Sequence, residues 1–232
     1  MSSVNKYRPL PSDYQELIAA LKQHIAQGER DVVDFEHRHY NGVREKAVIY
    51  CLRHALDLAK GCLAIALAEL PDSLTTLSRA IFDALFWAKY VTLSIENAQE
   101  FIDSPINEMK RISRKNLTAG YAHVFDTKTN EDKSIEFQNS SMMKEIPRWV
   151  RIEDAARAGG LERVYTTLYG FDSMIAHGRA FDLLAESDIK DVLYASISAF
   201  LGALQCIEVI TSDWIIHRKE TPKETLTHML GI

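Results

Sequence analysis

Between Tyr14 and Phe35 the positions Tyr14, Ile18, Leu21, Ile25, Gly28, Val32 and Phe35 fall at alternating spacings of four and three. A run of that period keeps one face of an α-helix apolar over about six turns, and no strand can use it, because strand side chains alternate with period two. Ser12 followed three residues later by Gln15 is a capping-box start, and Asn41-Gly42 is a stop. The seam calls for a long antiparallel partner, either in the same chain or across a dimer.

The remaining chain reads as helices of the same kind. A second helix over residues 43–70 is apolar nearly all round from Cys62 to Ala68, which places it at the centre of a bundle, and Pro71 ends it. A third, capped by Asp72 or Ser73, runs through Arg79, Phe82, Asp83, Phe86 and Trp87 to Ser94. Ser94 caps a short helix that stops before Pro105, and a fifth covers residues 106–119. Residues 126–141 carry Asp, Asn, Lys, Ser and Thr without apolar periodicity and read as a mobile surface loop. Helices follow over 148–158, over 161–177 with Gly178 as a left-handed cap, over 187–219, and after Pro222. With 10 glycines and 6 prolines in 232 residues, turn-formers are too scarce for many short strands. The expected fold class is all-α, a long-helix bundle in a single domain over residues 1–232.

A net charge of −5 gives no global attraction to nucleic acid or to an anionic membrane, so any such contact must come from a local patch. Cys51, Cys62 and Cys206 are odd in number, far apart and set in apolar runs, which argues against disulfides and zinc. Reduced core thiols fit a cytoplasmic protein. Residues 1–11 are polar and lack the apolar stretch of a signal peptide. Residues 192–207 are uncharged but carry Ser196, Ser198 and Gln205 and fall short of the roughly 20 apolar residues of a span. They read as a buried helix, and no membrane contact is expected.

Two constellations carry chemistry. Arg79 and Asp83 stand one turn apart on a helix otherwise lined by Leu77, Ile81, Phe82, Leu85, Phe86 and Trp87, a spacing that permits an ion pair. Solvated, such a pair is structural; desolvated, it serves as an anion site or a structural lock. Tyr165, Tyr169, Ser173 and His177 each follow the last by four, a row that drifts about 40° and climbs about 6 Å per step on an α-helix. Tyr169, Ser173 and His177 can therefore line one polar seam, with His177 at the helix end that favours the imidazolium. The alternative is a hydrogen-bonded seam between packed helices.

The segment Leu77-Ser78-Arg79-Ala80-Ile81-Phe82-Asp83 resembles a family of bacterial helical proteins of unknown function, and so does the stretch from Trp149 to His177, with its Gly-Gly turn and Tyr-x-x-x-Tyr-x-x-x-Ser-x-x-x-His-Gly run. Members typically show Arg-x-x-x-Glu where this chain has Arg79 and the shorter Asp83. The resemblance implies an all-helical fold and a paired polar site from Arg79, Asp83, Tyr169, Ser173 and His177. It implies no reaction and no cofactor.

More distantly the chain is similar to the helical nucleases of the HEPN superfamily, which carry Arg, a polar residue and, after a short spacer, His. Arg30-Asp31 with His37 satisfies that pattern two turns apart on one helix, against a plain solvated face. The basic cluster Lys110, Arg111, Arg114 and Lys115 is the local feature suited to a phosphate backbone. Glu36-x-x-His39 has a metal-ligand spacing but no second copy, so no metal is expected. Neither a nucleophile elbow nor a phosphate-cradling glycine loop is present. The function expected from these residues is a self-associating helical module, dimeric, binding a small or anionic ligand in an inter-helix pocket. The alternative is a metal-independent ribonuclease in stress or phage defence, with Arg30 and His37 or Arg79 and His177 as its working groups.

Overall fold

Six turns of apolar seam are buried as the spacing requires. The computed structural model describes residues 13–37, 42–144, 146, 150–170 and 189–232. Helix α1 (Tyr14–His37) buries Ile18, Leu21, Ile25, Gly28, Val32 and Phe35. It runs antiparallel to α2 (Val43–Leu67): the Tyr14 hydroxyl donates to the Ala66 carbonyl at 2.8 Å, Lys60 pairs with Glu29 at 2.9 Å, and Arg53 pairs with Glu36. Gly28 makes room for the Leu56 side chain of α2, since a Cβ there would sit 2.5 Å from Leu56 Cδ2. The seam therefore has its partner within the chain.

The centre is α3 (Pro71–Leu93), not α2. Ile81, Phe82, Leu85, Phe86 and Val91 of α3 are fully buried, whereas the apolar last turns of α2 leave Leu67 60% exposed. Around α3 lie α2, α7 (Ile152–Ala158) and the long α9 (Ile189–His217). Helix α9 is long and apolar enough to cross a membrane by composition, but it lies packed on α1, α2 and α3 with Ile197, Phe200, Leu201 and Leu204 fully buried. The chain closes with α10 (Lys223–Met229).

Two prolines act differently from expectation. Pro71 does not stand in a gap between helices; it is the first residue of α3, where a missing N–H forfeits no bond. α2 stops earlier, at Leu67, because Glu69 turns left-handed with φ 55° and the Leu70 N–H closes back on the Ile65 carbonyl. Pro105 does not separate two helices. One helix, α4 (Ile95–Thr118), continues through it, giving up the backbone bond that Pro105 cannot donate. Ser94 starts α4 as expected, its Oγ accepting the Asn97 N–H at 3.1 Å.

The described residues divide into two compact units, Met1–Ala98 with Ile152–Ile232, and Gln99–Arg151. In the second, residues 126–141 are organised by the polar side chains that masked their structure in the sequence. Asp126 Oδ1 accepts the Lys128 and Thr129 N–H groups at 2.8 Å each, Asn130 takes φ 57°, and an isolated antiparallel bridge joins Phe125 to Asp132. Asp132 accepts the Ser134 N–H at 2.8 Å and so starts α5 (Ser134–Gln138). The Ser134 bonds and then His123 pull its carboxyl down to about 2. A further short helix, α6 (Ser141–Lys144), follows.

Candidate functional site

The site starts from a Gly-Gly turn. At the end of α7, Gly160 adopts φ +71°, a left-handed value that costs an L-residue about 1–2 kcal/mol. A Cβ on Gly159 would lie 2.9 Å from Lys89 Cγ of α3. Two glycines therefore let the chain reverse hard against α3. Leu161, fully buried, plugs the corner, and α8 (Glu162–Val164) leads into a π turn over Tyr165–Tyr169. The Gly170 N–H reaches the Tyr165 carbonyl, the wider hydrogen bond that defines such a turn.

That turn stacks two tyrosines on the core. The rings of Tyr165 and Tyr169 are 4.9 Å apart and nearly parallel, and Phe86 meets Tyr169 edge-on at 5.8 Å. Tyr169 is buried, but its hydroxyl emerges beside Arg79. Arg79 Nε and Nη2 both donate to it, at 3.2 and 3.1 Å. The guanidinium is thus turned towards Tyr169 and its Cζ lies 5.3 Å from the ring centroid.

Asp83, one turn along α3, completes the group. Its Oδ1 is buried with no hydrogen-bond partner among the described residues. Burial raises its carboxyl from 3.8 to about 6, against the lowering influence of the Arg79 charge and the Tyr169 hydroxyl. Burial likewise raises the Tyr169 hydroxyl above its ordinary 10, with the Arg79 bonds opposing. The result is a fixed cation, a phenol and a carboxyl that changes charge near pH 6, side by side on apolar walls.

Arg79, Asp83 and Tyr169 therefore come together, while Ser173 and His177 lie outside the described residues. The row Tyr165, Tyr169, Ser173, His177 assumes a regular α-helix, and the π turn departs from that register between Tyr165 and Tyr169. Arg30 and His37 stand elsewhere, both exposed on α1, with Arg30 Nη2 donating to Gln27 Oε1 at 2.8 Å. Glu36 is engaged by Arg53, and His39 lies outside the described residues. Lys110, Arg111, Arg114 and Lys115 occupy the last turns of α4, where Arg111 Nε donates to Glu108 Oε2 at 2.8 Å. The three cysteines are free and buried; burial pushes Cys62 up to about 12 and raises Cys51 and Cys206 as well.

Two polar groups escaped the sequence reading. Lys89 is only 4% exposed and donates to the Thr221 carbonyl at 2.8 Å, fastening the start of α10 to α3. His24 Nδ1 lies 2.8 Å from Glu208 Oε2, with Gln205 Nε2 3.2 Å from its other ring nitrogen. The signal for the latter was present: Gln205 and Glu208, three apart, share a face of an otherwise apolar helix.

A family model described as "Family of unknown function (DUF5677)" matches residues 45–191, a stretch that contains Arg79, Asp83 and Tyr169. No curated protein and no solved structure matches the chain.

Proposed function

The chain belongs to DUF5677, a family of unknown function, and on that premise we propose that it is a helical binding module whose Arg79–Asp83–Tyr169 group takes a small polar ligand. The observation that carries this reading is the unpartnered, buried Asp83 Oδ1 beside a guanidinium. Buried acceptors are nearly always bonded, and one left open at a cost of about 1–3 kcal/mol is a place for a donor from outside. The ligand that fits has an anionic group for Arg79 and an N–H or O–H for Asp83, with an apolar part against Tyr165 and Tyr169. An amino acid or a phosphorylated small molecule has this chemistry. Because the ligand donates to the carboxylate, binding strengthens as pH rises through about 6.

The test is thermal unfolding of the full chain with a panel of amino acids, inorganic phosphate and nucleoside monophosphates. A ligand at about 100 times its dissociation constant adds about 2.7 kcal/mol, which raises the Tm by several degrees. The expected result is a shift with at least one member, abolished in Tyr169→Phe and Arg79→Met proteins that remain folded. Absence of any shift, or one that survives both substitutions, refutes the assignment. Incubation with total tRNA in EDTA covers the other chemistry: cleavage lost in Arg79→Met would replace the binding module by a ribonuclease.

A further inference from the structure

Of the fourteen exposed large apolar side chains among the described residues, eight lie on residues 99–151. Three of them form a stripe. Ile102, Ile106 and Met109 of α4 fall within about 60° of one another around the helix, and they are 39%, 52% and 61% exposed. This face is separate from the α1 seam, which is covered inside the chain.

The charges beside the stripe are ordered along the helix. On its flank Glu96 and Asp103 stand towards the N-terminal end and Lys110 and Arg114 towards the C-terminal end, while Glu100 and Lys115 lie on the far side of the helix. Asp103 and Lys110 lie on one flank, about 20° apart. We propose that this face of α4 docks on the same face of a second copy, in antiparallel orientation, about a two-fold axis beside Ile106. In that arrangement Ile102 packs on Met109 of the other copy, Ile106 packs on its own counterpart, and Asp103 of each copy stands opposite Lys110 of the other. The acidic half of one helix then lies along the basic half of its mate, the self-complementarity an isologous interface requires. Parallel pairing would set like charges together. An anionic membrane or nucleic acid would attract one half of the helix and repel the other, which is why a second copy is the better occupant.

The experiment is sedimentation velocity of the full chain from about 1 to 200 μM, a range suited to an interface smaller than the standard ~1,600 Å². The expected result is a reversible dimer with a roughly micromolar dissociation constant. Ile106→Asp should weaken it at least about tenfold, and Lys110→Asp about threefold or more. The double variant Asp103→Lys/Lys110→Asp restores the opposition of charges and should recover most of the affinity. Ile106 is exposed and Asp103 and Lys110 are half-buried, and helical circular dichroism and melting establish that each variant folds. A monomer at 200 μM overturns the proposal. So does a dimer indifferent to Ile106→Asp, or a double variant no tighter than Lys110→Asp alone, or a monomer that binds anionic vesicles through the same residues.

Discussion

Asparagine in place of Asp83 keeps the shape of the side chain and removes its titration. A carboxyl that titrates at about 6 instead of 3.8 is disfavoured when ionised by about 3 kcal/mol, at about 1.4 kcal/mol for each pH unit. The folded value lies above the unfolded one, so this contribution to stability is fully present below about pH 4 and is lost as pH rises through 6. The wild-type chain should therefore lose stability across that interval, and Asp83→Asn should not lose this part of it. Urea unfolding of both proteins at pH 4.5, 6 and 7.5 measures the effect, with all other titrations cancelling in the difference. Linkage places about 2 kcal/mol of the total between pH 4.5 and 7.5, in favour of the asparagine variant. A difference that stays constant within about 0.5 kcal/mol over that range would show that the carboxyl is not desolvated, and the argument for an open acceptor would fail with it.

Phe86→Ala removes the ring that meets both tyrosines of the π turn and should cost about 3–5 kcal/mol in urea unfolding; a loss under about 1 kcal/mol would mean that α3 is not the packing centre. Gly160→Ala places a Cβ on a left-handed residue 2.8 Å from Lys223 Cδ and should lower stability by about 1–2 kcal/mol or more, read from the thermal midpoint. All three thiols should resist a disulfide reagent at pH 8 in the native protein and react together in denaturant, followed by absorbance; rapid labelling of any one in the native state contradicts its burial.

The long-range architecture was readable where side-chain periodicity determines it. The α1 seam and the apolar α9 follow from which residues must leave water, and that requirement shows in spacing alone. Spacing placed Arg79 and Asp83 on one face of α3, but that this face meets Tyr169 was implied only by the family resemblance, since positions four apart say which residues share a face and not which helices touch. What escaped depended on energies without a sequence signature. A π turn differs from an α turn by one residue of hydrogen-bond register, so Tyr165–Tyr169 looked regular. Pro71 and Pro105 were read as breaks because a proline forfeits one bond; at the first helical position that bond does not exist, and within α4 the rest of the helix outweighs it. Spacing put Arg79 against Asp83, but the guanidinium reaches further and settles on Tyr169, leaving Asp83 Oδ1 without a hydrogen-bond partner. Lysines ordinarily keep their charge in water, which is why nothing in the sequence marks Lys89, whose aliphatic stem lies on Gly159 while a carbonyl receives its charge.

The position of α3 has a consequence for how the protein is made. Its walls come from α2, already synthesised, and from α7 and α9, which leave the ribosome only after the whole 99–151 unit has been translated. During that delay Phe82, Phe86 and Leu85 have no cover on one side, and the nascent chain presents a sticky helix to its surroundings. Yield in cells should thus depend on chaperone supply and translation speed more than the stability of the finished protein would indicate.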